Sequence, residues 1–202
     1  MKYWIIGGSP SSGKSSLATE LSRDLQIPCY HIDDHEPRHH KIALKNRGYS
    51  VIRNYLQSNP DEVWLADVEK QVQIEFEYHK ERFRLAKQDL QKMPETEIMI
   101  LEGVSFLPWL VKELAPGKVI YLLPTYRFQL AGFAKRKWIN SILQSTSNPE
   151  KAFENWMQRD KKFAQIIKKY ALENMFPVFT MDINCSKSEK RKFAEQFFLS
   201  TR

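Results

Sequence analysis

Eight residues near the start of the chain hold the densest set of chemically capable groups. Gly8-Ser9-Pro10-Ser11-Ser12-Gly13-Lys14-Ser15 follows the pattern G-x-x-x-x-G-K-[ST], with an apolar run before it and a helix-compatible stretch after it. Glycines let backbone N–H groups turn inward around an anion, and the N-terminus of the following helix adds partial positive charge at the same point. A lysine in that place reaches the outer phosphates of a nucleoside triphosphate, and the hydroxyl after it suits a magnesium ion. The residues predicted to hold the nucleotide are therefore Gly8, Ser11, Ser12, Gly13, Lys14, Ser15 and Ser16, with Ser16 placed for the innermost phosphate. A serine-rich turn that only caps a helix is the alternative, and it leaves the agreement of pattern and context unexplained.

Further along, carboxylates and cations stand where such a loop needs them. "HIDDHEP" follows a short apolar strand, so Asp33 and Asp34 come at a strand's carboxyl end, where open α/β sheets bind ligands. Either can accept the proton of an attacking hydroxyl, and Asp34 can instead serve the metal through water. "IMILEG" ends on Glu102, a second candidate for the magnesium side with Ser15, and on Gly103, read as allowing close backbone approach to a substrate. "YRFQLAGFAKRKW" and "NWMQRDKK" supply cations, of which Arg136 and Arg159 are the candidates to stabilise charge on a phosphoryl group in transfer. Asp160 falls on the apolar stripe Phe153, Trp156, Met157, Phe163, Ala164 and Ile167, and reads as a structural acid that positions an arginine. In "MDINCSKS", Asp182 and Asn184 are candidates to contact a nucleotide base. His31, His35, His39 and His40 crowd together, but their spacing is not that of a known zinc ligand set.

The elements that must position these groups alternate. Strands are expected over "KYWIIGG", "PCYHI", "EIMILEG", "KVIYLL" and "PVFTM". Helical periodicity runs over 14–26, over 42–56 with a break near Gly48, over 61–92, over 126–143 and from Pro149 to about Met175. "SKSE" at 186–189 is a capping box opening a last helix. Alternation of this kind, with buried β-branched strands, predicts an α/β fold: a parallel sheet covered on both faces. Two insertions interrupt it, at about 36–95 and at about 127–170, within a single domain spanning 1–202.

Bulk composition narrows the partners. The chain has 202 residues, a net charge of +7 and only two cysteines, Cys29 and Cys185. Too few for a disulfide framework, these fit a reducing cytoplasm. No apolar run is long enough for a membrane span, and the first residues do not form a signal peptide. Residues 127–169 hold 10 Lys/Arg against 3 Asp/Glu, the whole positive surplus, whereas residues 61–102 hold 6 against 11. A local basic element beside an acidic one fits a small anionic substrate better than a nucleic-acid face.

With the phosphate loop complete and two mid-chain insertions, the sequence resembles the small P-loop kinases, among them adenylate, shikimate and gluconate kinases and chloramphenicol phosphotransferase. The likeness is motif-specific at residues 8–15 and rests elsewhere on order and position. It implies the three-layer P-loop NTPase fold, with a five-stranded parallel sheet in the order 2-3-1-4-5. It also implies a substrate-binding first insertion, a LID-like second one, and ATP with Mg²⁺ as cofactors. "PTYRFQ…KRKW…NPEKAFENWMQRD" is similar to a bacterial family of nucleotide-kinase-like P-loop proteins. The guanine-reading N-K-x-D of GTPases is missing from the sequence. The expected activity is transfer of the γ-phosphate of ATP to a small hydroxyl-bearing metabolite or drug-like acceptor. A nucleoside monophosphate kinase is the second expectation, with Arg38, Arg47 and Arg53 available to grip an acceptor phosphate. A nucleotide-dependent RNA-binding or regulatory protein is the third, and the lack of basic–aromatic repeats argues against it.

Overall fold

The structure, a computed structural model, describes residues 2–200, the side chain of Lys137 excepted. Five parallel strands form one sheet in the order β2-β3-β1-β4-β5: β1 (Lys2–Gly8), β2 (Cys29–His31), β3 (Ile98–Glu102), β4 (Lys118–Pro124) and β5 (Val178–Met181). Side chains alternate across a strand, so each strand feeds two cores. Trp4 and Ile6 of β1, with Ile100, Ile120 and Leu122, pack under α1 (Lys14–Leu25) and the last helix of the chain. Ile5, Leu101, Val119, Tyr121 and Leu123 point the other way and meet Phe83, Ala86, Phe163 and Ile167 from the two longest helices. The sheet is thus covered on both faces, as expected from its continuous apolar strands.

Between β2 and β3 lie α2 (Glu36–Lys45), α3 (Ser50–Gln57), α4 (Pro60–Trp64) and α5 (Val68–Leu90). Between β4 and β5 lie α6 (Tyr126–Phe133), α7 (Lys137–Leu143) and α8 (Pro149–Glu173), and α9 (Lys187–Phe198) closes the chain. Where the sequence predicts one helix over 61–92, the structure has two. The first ends at Trp64, and Asp67 starts the second by accepting hydrogen bonds from the N–H groups of Glu69 and Lys70. Leu65, Val68 and Val72 keep helical spacing across this break, so periodicity alone conceals it. The helix predicted over 126–143 is also divided. Arg136 is extended, with φ −99° and ψ 97°, which lets Phe133 and Ile139 both enter the cluster around Trp64 and Trp156. Helix α2 begins at Glu36 rather than near Ile42. Pro37 in its first turn marks that start, and His39 and Ala43, one turn apart, are its buried residues.

Parallel register aligns the carboxyl ends of the strands. His31 pairs with Glu102, and Glu102 with Ile6, so the ends of β2, β3 and β1 reach one edge together with the loop from Gly8 to Ser15.

Candidate functional site

The loop after β1 has a backbone that few residues tolerate. Gly8 has φ 140°, and a Cβ there would lie 1.9 Å from the carbonyl oxygen of Leu122. Ser11 is held in the left-handed region at φ 61°, a strain of about 1–3 kcal/mol of the kind that collects at ligand sites. The Oγ atoms of Ser9, Ser11 and Ser12 are buried and have no hydrogen-bond partner. Each unpartnered buried polar group costs about 1–3 kcal/mol. Three in one loop, over the N-terminus of α1, describe a cradle built for oxygen atoms that come from elsewhere.

Cations surround this cradle. Lys14 is buried, and its ammonium donates to the carbonyl of Ser9 at 2.9 Å. Burial pulls its pKa down, while Glu102 and Asp33 pull it back up. A second lysine, absent from the sequence expectations, arrives from the far end of the chain. The capping box of Ser186 and Glu189 starts α9 so that the next residue, Lys190, faces α1. Its ammonium donates to Gly13 O at 2.8 Å and to Ser16 Oγ at 3.0 Å, with only 2% of the residue exposed. It forms no ion pair among the described residues. A cation at a helix N-terminus opposes the helix dipole, and burial lowers its pKa. Nothing in the periodicity of "SKSEKRKF" separates this lysine from its exposed neighbours.

Beside the cradle stands one acid, Glu102, with two partners. Ser15 Oγ donates to Glu102 Oε1 at 3.1 Å, and His31 Nδ1 lies 2.9 Å from Glu102 Oε2. Cys29 and Glu102 together raise the His31 imidazole to about 10. Hydroxyl and buried carboxylate in contact form a hard oxygen donor set of the kind Mg²⁺ takes. Gly103, by contrast, serves packing. A Cβ there would lie 2.1 Å from Ile32 Cγ2, so its missing side chain makes room for the residue that follows β2.

From the loop a cavity of about 380 Å³ opens toward the first insertion. Lys14, Ser15, Asp33 and Arg136 line its phosphate-loop end. Asp33 receives Arg82 Nη1 at 3.1 Å, and the same nitrogen reaches Glu36 at 2.8 Å while Nη2 holds Ile32 O at 2.7 Å. Asp34 is exposed and does not line the cavity. Arg136 stacks over Phe133 and Trp138 and faces the cavity without an ion pair among the described residues. Arg159 is buried. Asp160 Oδ1 accepts from its Nε at 2.9 Å and its Nη2 at 2.7 Å, Glu75 lies 3.3 Å from Nη1, and Trp64 and Trp156 lie against the guanidinium. Glu75 also accepts from His79, whose other nitrogen meets Ser105. Burial works against the Glu75 charge, but Arg159, His79 and Arg82 outweigh it and hold the carboxyl at about 2. Asp182 sits at the end of β5, where it accepts from Thr125 Oγ1 at 2.9 Å and from Asn184 N at 3.3 Å.

No sequence-family model matches the chain, and no curated protein sequence does. Solved structures do match in three dimensions. TT1252 from Thermus thermophilus superposes with a TM-score of 0.51 at 15% identity, over 97% of this chain and 94% of that one. Shikimate kinase from Bacteroides thetaiotaomicron superposes with a TM-score of 0.53 at 13% identity, over 96% and 95%. The chain has the fold of the small P-loop kinases. The sheet order β2-β3-β1-β4-β5 is the one expected from the sequence, and in this P-loop kinase fold Asp33 stands one strand away from β1 across β3.

Arg82, Glu36 and Glu75 line the cavity and were not singled out in the sequence. Their signal was weak, because Arg82 and Glu75 blend into α5, a helix rich in both charges, and Glu36 opens α2 among other polar residues. Arg38, Arg47 and Arg53, named above for an acceptor phosphate, do not line it. Arg38 instead pairs with Asp89, which also receives Tyr30 and His39.

Proposed function

We propose that this protein is an ATP-dependent phosphotransferase whose acceptor is a small molecule bearing a hydroxyl group. One observation carries the reading. A cradle with three unpartnered buried hydroxyls and two buried ammonium groups opens into a cavity that a free-edged carboxylate, Asp33, also lines. Ser11, Ser12 and the loop N–H groups from Gly8 to Gly13 would take the phosphate oxygens, with Lys14 on the outer phosphates and Ser16 and Lys190 at the inner one. Ser15 and Glu102 would hold Mg²⁺, which when bound neutralises charge on the phosphates. Asp182 would mark the base end.

Transfer forms a bond from the acceptor oxygen to the γ-phosphorus and breaks the bond from that phosphorus to the β–γ bridging oxygen. ADP leaves, and the hydroxyl proton passes to Asp33. Arg82 keeps the Asp33 carboxylate oriented, and its second partner, Glu36, leaves that carboxylate incompletely neutralised. Arg136, uncommitted to any acid, suits the charge that spreads over the phosphoryl oxygens. Arg159 is committed to Glu75 and Asp160 and acts by fixing the wall of the cavity. Asp34 lies outside this scheme. In this reading residues 36–95 furnish the acceptor side and residues 127–170 the closing side.

Calorimetric titration with ATP and Mg²⁺ tests the first half of this reading. Lys14→Ala should abolish binding or turnover while circular dichroism stays unchanged. A folded Lys14→Ala protein with unaltered ATP affinity and turnover refutes it.

A further inference from the structure

A second chamber, of about 200 Å³, adjoins the main cavity, and Tyr55, Glu75 and Arg159 line both. Val51, Val63 and Ile74 give it an apolar side; Asn54, Glu62 and Gln71 give it a polar one. A cavity of about 150 Å³ suffices for benzene, so this one seats a six-membered ring or an arm of that size.

Gln71 sets its chemistry. The Nε2 of that amide donates to two backbone carbonyls, Trp64 O at 3.1 Å and Ala66 O at 2.9 Å. Only the nitrogen can make both bonds, so the orientation of the amide is fixed. Oε1 is then an acceptor, buried, with no donor in reach. The residue is 4% exposed. Gln71 is among the residues that line the chamber, and an N–H or O–H brought by an occupant would satisfy that oxygen.

Charge on the acceptor side points the same way. Glu36, Glu75 and Glu62 line the two spaces there, against Arg82 and Arg159. Both guanidiniums are already held by carboxylates, Arg82 by Asp33 and Glu36, Arg159 by Glu75 and Asp160. Three acids against two bases leave this wall with a surplus of negative charge. Among the described residues no unpaired cation lines the chamber, and Lys14 and Arg136 stand at the phosphate-loop end of the main cavity. The aromatic rings of Tyr55 and Tyr78 line the main cavity and suit a ring or a cation.

We propose that the acceptor is a non-acidic ring alcohol carrying an amino group, with its hydroxyl toward Asp33 and Lys14 and its amino-bearing end in the chamber at Gln71. This rests on the phosphotransfer reading above and names its substrate class. Amino sugars, aminocyclitols and nucleosides with an exocyclic amine belong to the class. Nucleoside monophosphates and sugar acids do not.

The test uses the whole protein with Mg²⁺ and a non-hydrolysable ATP analogue, titrated with matched probes. Glucosamine, adenosine and cytidine are set against glucose, inosine and uridine, which lack the amine, and against AMP, CMP, gluconate and shikimate, which are acidic. At least one amine should bind ten-fold or more tighter than its amine-free partner and accept labelled phosphate from ATP. Gln71→Leu should erase that ten-fold preference while leaving the affinity for the ATP analogue unchanged. The comparison of paired probes needs only the unaltered chain, so a poorly folded Gln71→Leu does not block the test. Tighter binding of an acidic probe, equal binding within every pair, or no binding of any of the three amines overturns the acceptor class. If the ATP analogue itself fails to bind, the phosphotransfer reading falls first. If it binds and an acidic probe is phosphorylated, that reading stands and only the acceptor class is lost.

Discussion

Replacing Glu75 by glutamine removes one charge from the centre of the cavity wall while keeping the side chain's shape. The carboxyl titrates at about 2 in the folded protein against 4.5 unperturbed, and its side chain is 17% exposed. The folded-state value is depressed, so the stabilisation is complete above the unfolded value and disappears as pH falls through the folded one. Each unit is worth about 1.4 kcal/mol, so Glu75 contributes about 3 kcal/mol at neutral pH and about 1 kcal/mol at pH 3. Glu75→Gln should therefore lower stability by about 3 kcal/mol at pH 7 and by about 1 kcal/mol at pH 3. Denaturant unfolding of both proteins, followed by tryptophan fluorescence at the two pH values, measures this directly. The unaltered protein should lose about 2 kcal/mol more than the variant between pH 6 and pH 3. A variant destabilised equally at both pH values would show that the carboxyl's charge is not held by Arg159 and His79 as the geometry implies.

Asp33→Asn should lower kcat by about 10²–10⁴ with little change in ATP affinity, the range for a lost general base, whereas exposed Asp34→Asn should leave steady-state rates unchanged. Full activity of Asp33→Asn would remove it from the chemistry. Arg136→Ala should reduce kcat by about 10²–10³ and move the KM for ATP far less; an effect confined to KM would mark it as a ground-state contact. Lys190→Met should weaken ATP binding by about 10–100-fold, the loss of a charge-assisted hydrogen bond worth about 1.5–3 kcal/mol, and should raise rather than lower apo thermal stability if its ammonium opposes the α1 dipole. Equal ATP affinity in this variant would leave Lys190 a packing residue.

The sheet and the phosphate loop were legible because both are local. Five apolar runs, each followed by turn residues, fix the strands, and residues 8–15 announce their own geometry. Helix boundaries inside the insertions were not legible. The apolar spacing of Leu65, Val68 and Val72 continues through a break that a single capping aspartate makes. Site residues divide along the same line. Asp33 and Glu102 could be placed from strand ends, and the structure brings Glu102 to Ser15 and Asp33 to the cavity. Arg159 read as a cation on a mobile arm, yet it is buried between two tryptophans and two acids, because Trp64 on one insertion meets Trp156 on the other. Lys190 could not be found from sequence, since its partners lie 174 and 177 residues away.

That last separation bears on how the chain is made. The phosphate loop leaves the ribosome long before α9, and β1 must wait for β3 and β4 before it has any strand neighbour. Lys190 follows Gly13 by 177 residues, about 10–35 s at ordinary elongation rates. Throughout that interval a nascent chain displays its glycine-rich loop without the ammonium that clasps it from α9. On the function proposed above, a nucleotide meeting a chain without α9 would find a weaker grip than one meeting a chain that carries it. On that same function, tight nucleotide binding would report that synthesis has passed α9, and a chain truncated before Ser186 would lose this signal while keeping the residues of all five strands.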